Sequence, residues 1–163
     1  MIAEKFLDVL LSWLARNGVD DIALGIDNET CFDMSEQKIV LGVMNLYDVE
    51  SWTEEYWAEL GMDWVNLHPM VLRFLHELGH WFTLGQFSPD ELMLYNLSKP
   101  VIDLDADDAH EKMIEYWKMP DEAAATQWAI DFICDRDNEY QVGELHDIFT
   151  IFWDDVVNEV CEP

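Results

Sequence analysis

The pentapeptide His76-Glu77-Leu78-Gly79-His80 constrains this chain more than any other stretch. It lies inside an apolar run from Val71 to Leu84 that reads as a helix. On a helix, residues four apart share a face, so His76 and His80 can offer two imidazole nitrogens to one ion. Glu77 is rotated by about 100° from His76. It therefore flanks such an ion rather than joining the pair. His68-Pro69 opens this helix, with proline suited to its first turn.

The rest of the chain supplies a fold around that helix. Met1 to Asn17 carries a helical stripe of Ile2, Phe6, Leu10, Trp13 and Leu14, and Gly18 suits its C-terminal cap. Ile22 to Asp27 alternates and reads as a strand. Lys38 to Asn45 reads as a second strand, and the polar stretch Asp27 to Gln37 between them as the turn of a hairpin or meander. Val49 to Leu60 is an expected amphipathic helix ended by Gly61. Ser88-Pro89-Asp90-Glu91 is an N-terminal helix signature, and that helix runs to about Leu97. Lys99 to Asp105 is an expected loop, and Ala106 to Lys118 an expected helix. A further helix starts at Pro120-Asp121-Glu122 and continues through Ala129 and Ile133. The last spans about Val142 to Val160, with Leu145, Ile148, Phe149, Phe152 and Val156 on one stripe. A helix, a small sheet and then many helices make an α+β pattern. The expected arrangement is one mostly helical domain over residues 1–163, with a small antiparallel or mixed sheet packed on the motif helix.

Composition limits what such a domain can do. The 163 residues suit one domain with a proper core. Eight Trp and eight Phe exclude a disordered chain despite the charge. Eight basic residues against 35 acidic ones give a net charge of −27. That surface repels nucleic-acid phosphate, so direct nucleic-acid binding is not expected. It favours basic partners, or keeps the protein in solution, or imitates DNA for a DNA-binding protein. Cys31, Cys134 and Cys161 are widely spaced and odd in number, which argues against a disulfide framework and for a reducing compartment. No apolar run reaches the ~20 residues that span a bilayer. The expectation is a soluble, cytoplasmic protein.

A catalytic zinc site takes three protein ligands and keeps one position open. Histidines at i and i+4 with a glutamate between them form the zinc-hydrolase pattern, and the glutamate is its general base. His68, His110, His146 and many carboxylates are available for the third place, and composition does not choose among them. Glu122 stands at a helix start with Ala125 one turn on, and an alanine there lets two helices approach closely. Gly79 is expected to relieve crowding beneath the ion. The run Asp103-Leu104-Asp105-Ala106-Asp107-Asp108 lacks the glycine and closing glutamate of a calcium loop and reads as a solvated loop and helix start.

His76-Glu77-Leu78-Gly79-His80, followed by Met119-Pro120-Asp121-Glu122-Ala123-Ala124-Ala125-Thr126-Gln127-Trp128-Ala129, resembles the small gluzincin-type metallopeptidases of the ImmA/IrrE kind, common in phage and mobile-element proteins. The resemblance spans about Ile39 to Ile133. It implies a zincin-like domain in which His76, His80 and Glu122 bind Zn2+ and Glu77 is the general base. It also implies a protein or peptide substrate, a DNA-binding regulator among the possibilities, held by the edge strand Lys38 to Asn45 through main-chain pairing. The long gap between His80 and Glu122 departs from the family pattern and leaves His110, Glu111 and Glu115 as rivals for the third ligand. Tyr116 and His110 are candidate donors to an oxyanion. The competing expectation is a non-catalytic acidic protein that occupies a basic partner surface.

Overall fold

A computed structural model gives the arrangement of residues 1–43 and 47–161. The elements are α1 (Ile2–Arg16), β1 (Ala23–Asp27), β2 (Cys31–Asp33), β3 (Lys38–Gly42), α2 (Tyr47–Trp57), α3 (Pro69–Thr83), α4 (Pro89–Ser98), α5 (Ala109–Trp117), α6 (Pro120–Cys134) and α7 (Glu139–Cys161). The fold is α+β and mostly helical, with a small mixed sheet. The end of the second expected strand, positions 44 and 45, lies outside the described residues.

The helices form where apolar periodicity and caps coincide. The α1 stripe of Phe6, Leu10, Trp13 and Leu14 is fully buried. It packs on α7, with the Phe6 ring 5.5 Å from Phe149 and 5.8 Å from Trp153. The first turn of α1 has unpaired backbone donors, as every helix start does. Glu159 of α7 supplies the acceptors: Ile2 N and Ala3 N donate to its carboxylate at 3.0 and 2.6 Å. The start of α4 is a capping box. Glu91 N donates to Ser88 Oγ at 3.1 Å and Ser88 N donates to Glu91 Oε1 at 3.0 Å. Gly61, at φ 89°, ends the turn that follows α2.

The sheet is mixed, one of the two expected kinds, and differs from the expected hairpin or meander in two ways. Its order is β1-β3-β2, with β1 parallel to β3 and β2 antiparallel to it. The stretch taken as a turn contains the strand β2. Three residues between polar neighbours are too short to show a period. The strand beginning at Lys38 is therefore central, not an edge. The link from β1 to β2 crosses over the end of β3, and Gly42 is the crossing point. A Cβ there would stand 2.5 Å from Thr30 N and 2.6 Å from Glu29 C. Instead Gly42 N donates to Thr30 Oγ1 at 2.9 Å.

The motif helix α3 is the axle of the fold. Its buried residues Met70, Val71, Phe74, Leu75 and Leu78 join one core with Trp13, Ile39, Leu41, Ala129, Leu145 and Phe149. On its other side it lies against α6. A Cβ on Gly79 would run into the Ala125 backbone. The glycine therefore serves helix-to-helix contact. Among the described residues no helix is long and apolar enough to cross a membrane.

Candidate metal centre

Three side chains converge where α3 and α6 touch. Because Gly79 and Ala125 admit close contact, Glu122 in the first turn of α6 reaches the histidine face of α3. Its Oε2 lies 2.8 Å from His76 Nε2 and 2.8 Å from His80 Nε2. The two imidazoles stand edge to face at 4.8 Å between centroids. The three ligand atoms all lie within 4.8 Å of one another, and no other such group of acids, histidines and cysteines occurs among the described residues. Two nitrogens and one carboxylate oxygen around one point can hold a metal ion.

The surrounding groups fix this geometry. Thr126, one turn after Glu122 and buried, lies with its Oγ1 2.9 Å from His76 Nδ1. That contact orients the ring so that Nε2 points at Glu122. The ring of Phe32 from β2 stacks on His80 with an interplanar angle of 10°. The second carboxylate oxygen of Glu122 accepts from Lys99 Nζ at 3.2 Å, and Lys99 also pairs with Asp121 at 2.7 Å. Burial opposes the charged form of Glu122. Hydrogen bonds from His76 and His80 and their Coulombic attraction outweigh it, holding the carboxyl well below its usual range.

Glu77 faces the same cleft, which encloses about 410 Å³. Burial pushes its carboxyl up to about 7; His76 opposes this and the charge of Glu122 adds to it. Burial also raises the Tyr116 phenol, helped by the charge of Glu122 and a hydrogen bond to it, so that side chain stays protonated.

No family model, curated protein or solved structure matches the chain.

The rivals to Glu122 lie elsewhere. His110 stacks on Trp52 at 5.0 Å with its Nε2 3.7 Å from Glu55. Glu111 and Glu115 are exposed on α5. His68 and His146 form a separate pair at the start of α3, where His68 N donates to His146 Nδ1 at 2.9 Å. Sequence reasoning missed Thr126, Lys99, Asp121 and Phe32. Thr126 was within reach, since it follows Glu122 by four residues and so shares its helix face. Lys99 left a weaker trace, a lysine before proline in a chain with eight basic residues.

Proposed function

We propose that this chain is a zinc metallopeptidase of the ImmA/IrrE-like kind. The observation that carries the reading is the single Glu122 oxygen 2.8 Å from both histidine Nε2 atoms, delivered from a different helix. The donor set of two imidazoles and one carboxylate fits zinc, and fits it in the composition used by hydrolytic sites. His76, His80 and Glu122 would hold such an ion, which would supply a Lewis acid for a peptide carbonyl and lower the pKa of water to ~7.

The chain's own groups do the rest. Glu77 takes up the proton from the attacking water on its carboxylate and returns it to the leaving amine. Burial raises its carboxyl pKa, the direction that makes it a better proton acceptor. Thr126 orients the His76 ring through its 2.9 Å contact with Nδ1. Tyr116, protonated and on the cleft wall, spends its O–H on Glu122 and so helps to hold that carboxylate. Thr30, Cys31 and Phe32 line the cleft. The outer edge of β2 has no strand partner among the described residues, so it replaces β3 as the strand on which an extended peptide pairs. The substrate is a protein, with a basic DNA-binding regulator favoured by the −27 charge of the chain. The exposed, unpaired cysteines accord with a reducing, cytoplasmic setting.

The acidic surface also supports a second reading, a binding protein that occupies a basic partner without cleaving it. Glu77→Gln separates the two. In zinc-loaded protein tested on a fluorescence-quenched peptide library, the variant retains one zinc and loses cleavage by roughly 10²-fold or more. Equal cleavage by the variant, or a wild type that takes up no zinc, ends the peptidase reading.

A further inference from the structure

Lys99 lies outside the pattern that identifies the centre, yet its ammonium is among the least exposed charges in the cleft. The side chain is 11% exposed, 2.7 Å from Asp121 Oδ2 and 3.2 Å from Glu122 Oε1. It also stands 5.0 Å from the Tyr116 ring centroid. Local chemistry aims it there. Pro100 bars the preceding residue from helical backbone, so α4 stops at Ser98 and Lys99 turns extended at ψ 135°. The long segment between the second histidine and Glu122 thus delivers one cation to the back of the carboxylate.

The two oxygens of Glu122 are divided. One faces the two imidazoles and the other faces Lys99, and Tyr116 also hydrogen-bonds the carboxylate. A carboxylate free of such a partner can turn both oxygens to an ion and occupy two positions around it. That would fill the place a hydrolytic site must leave open. We propose that Lys99 is a positioning residue that holds Glu122 to one-oxygen ligation and keeps a coordination position open, at some loss of metal affinity. The loss follows from like charges, since ammonium and metal ion share one carboxylate. Asp121 moderates that repulsion by pairing with Lys99 on its far side. This inference rests on the metal-binding part of the proposed function and not on peptide cleavage.

The test uses Co2+ in place of zinc, with affinity read by chelator competition and geometry by the visible absorption band. Four-coordinate Co2+ absorbs strongly and five-coordinate Co2+ weakly. Lys99→Met is expected to bind Co2+ roughly tenfold more tightly, the scale of one like charge removed at partly screened distance. Its band is expected to weaken as Glu122 takes a second position. Lys99→Arg keeps the charge and is expected to restore both values. An unchanged affinity and band in Lys99→Met overturns the inference. So does weaker binding with an unchanged band, because that is the mark of a merely structural support. Should Lys99→Met fail to fold, X-ray absorption on the zinc-loaded wild type decides: one-oxygen ligation is required, and two-oxygen ligation overturns it. A wild type that binds neither metal defeats the metal centre itself, a separate result.

Discussion

At the scale of single residues, the chain places four of its five histidines in two distinct electrostatic settings. His76 and His80 face a carboxylate. His68 and His146 instead use ring nitrogens as acceptors at the mouth of α3. His68 Nδ1 accepts from Met70 N at 3.1 Å and caps the helix, while His146 Nδ1 accepts from His68 N. An imidazolium has no acceptor nitrogen, so protonation removes either bond. Burial holds the His68 pKa below its ordinary 6.5, with Asp154 opposing and His146 adding. A lowered pKa in the folded state means that the stability it reports is present above pH 6.5 and is lost as pH falls through the lowered value. Asparagine is a good cap that does not titrate here. Between pH 7 and pH 5, His68→Asn should therefore show a smaller fall in melting temperature than wild type. The difference should correspond to about 1 kcal/mol, the scale of one cap. Parallel melting curves for the two proteins would remove His68 from the account.

At the scale of elements, the contact that matters is α3 against α6. It sets Glu122 opposite the histidines because a glycine meets an alanine backbone at the crossing. In isolation Gly79→Ala should favour the helix by about 1 kcal/mol. Here the added methyl lands on the Ala125 backbone, which has no flexible end to swing aside. Overpacking of this kind costs typically about 1–3 kcal/mol, so the clash wins. The expected outcome is a lower urea midpoint together with weaker zinc binding, since α6 must move outward and carry Glu122 with it. A variant that gains stability and keeps its zinc affinity would show that the crossing is looser than described. The motif's own spacing disclosed the two histidines and the glutamate between them, because i to i+4 geometry is local. The contact of Gly79 with Ala125 was not legible for the opposite reason: that neighbour lies on another helix.

At the scale of the whole molecule, charge dominates. Thirty-five acidic residues against eight basic ones oppose the compact state by mutual repulsion. Arg16 with Glu144 at 2.9 Å is an example of a surface ion pair, and pairs of that kind stabilise little. Raising NaCl from ~0.02 M to ~0.3 M shortens the screening length several-fold. The melting temperature should rise by about 2–4 °C, equivalent to about 1 kcal/mol for a chain of this size. A fall with salt would mean that attractive pairs outweigh the repulsion. A surface of that charge attracts basic surfaces at long range and repels acidic ones.

What the residues decided unaided was local. The helices, the Ser88 cap with Glu91, the stop before Pro100 and the paired histidines all follow from interactions within a few positions. What tertiary structure alone decided spans long separations. The Glu122 bond to His76 bridges 46 positions, and the chain from β1 crosses Gly42 to put β3 in the middle of the sheet. Closing a loop of such length grows in cost only slowly with the number of residues. Sequence distance therefore barely ranks one distant carboxylate, strand order or lysine against another. Shape at the point of contact ranks them, as the bare Cα of Gly79 does for Glu122 and the bare Cα of Gly42 does for β3.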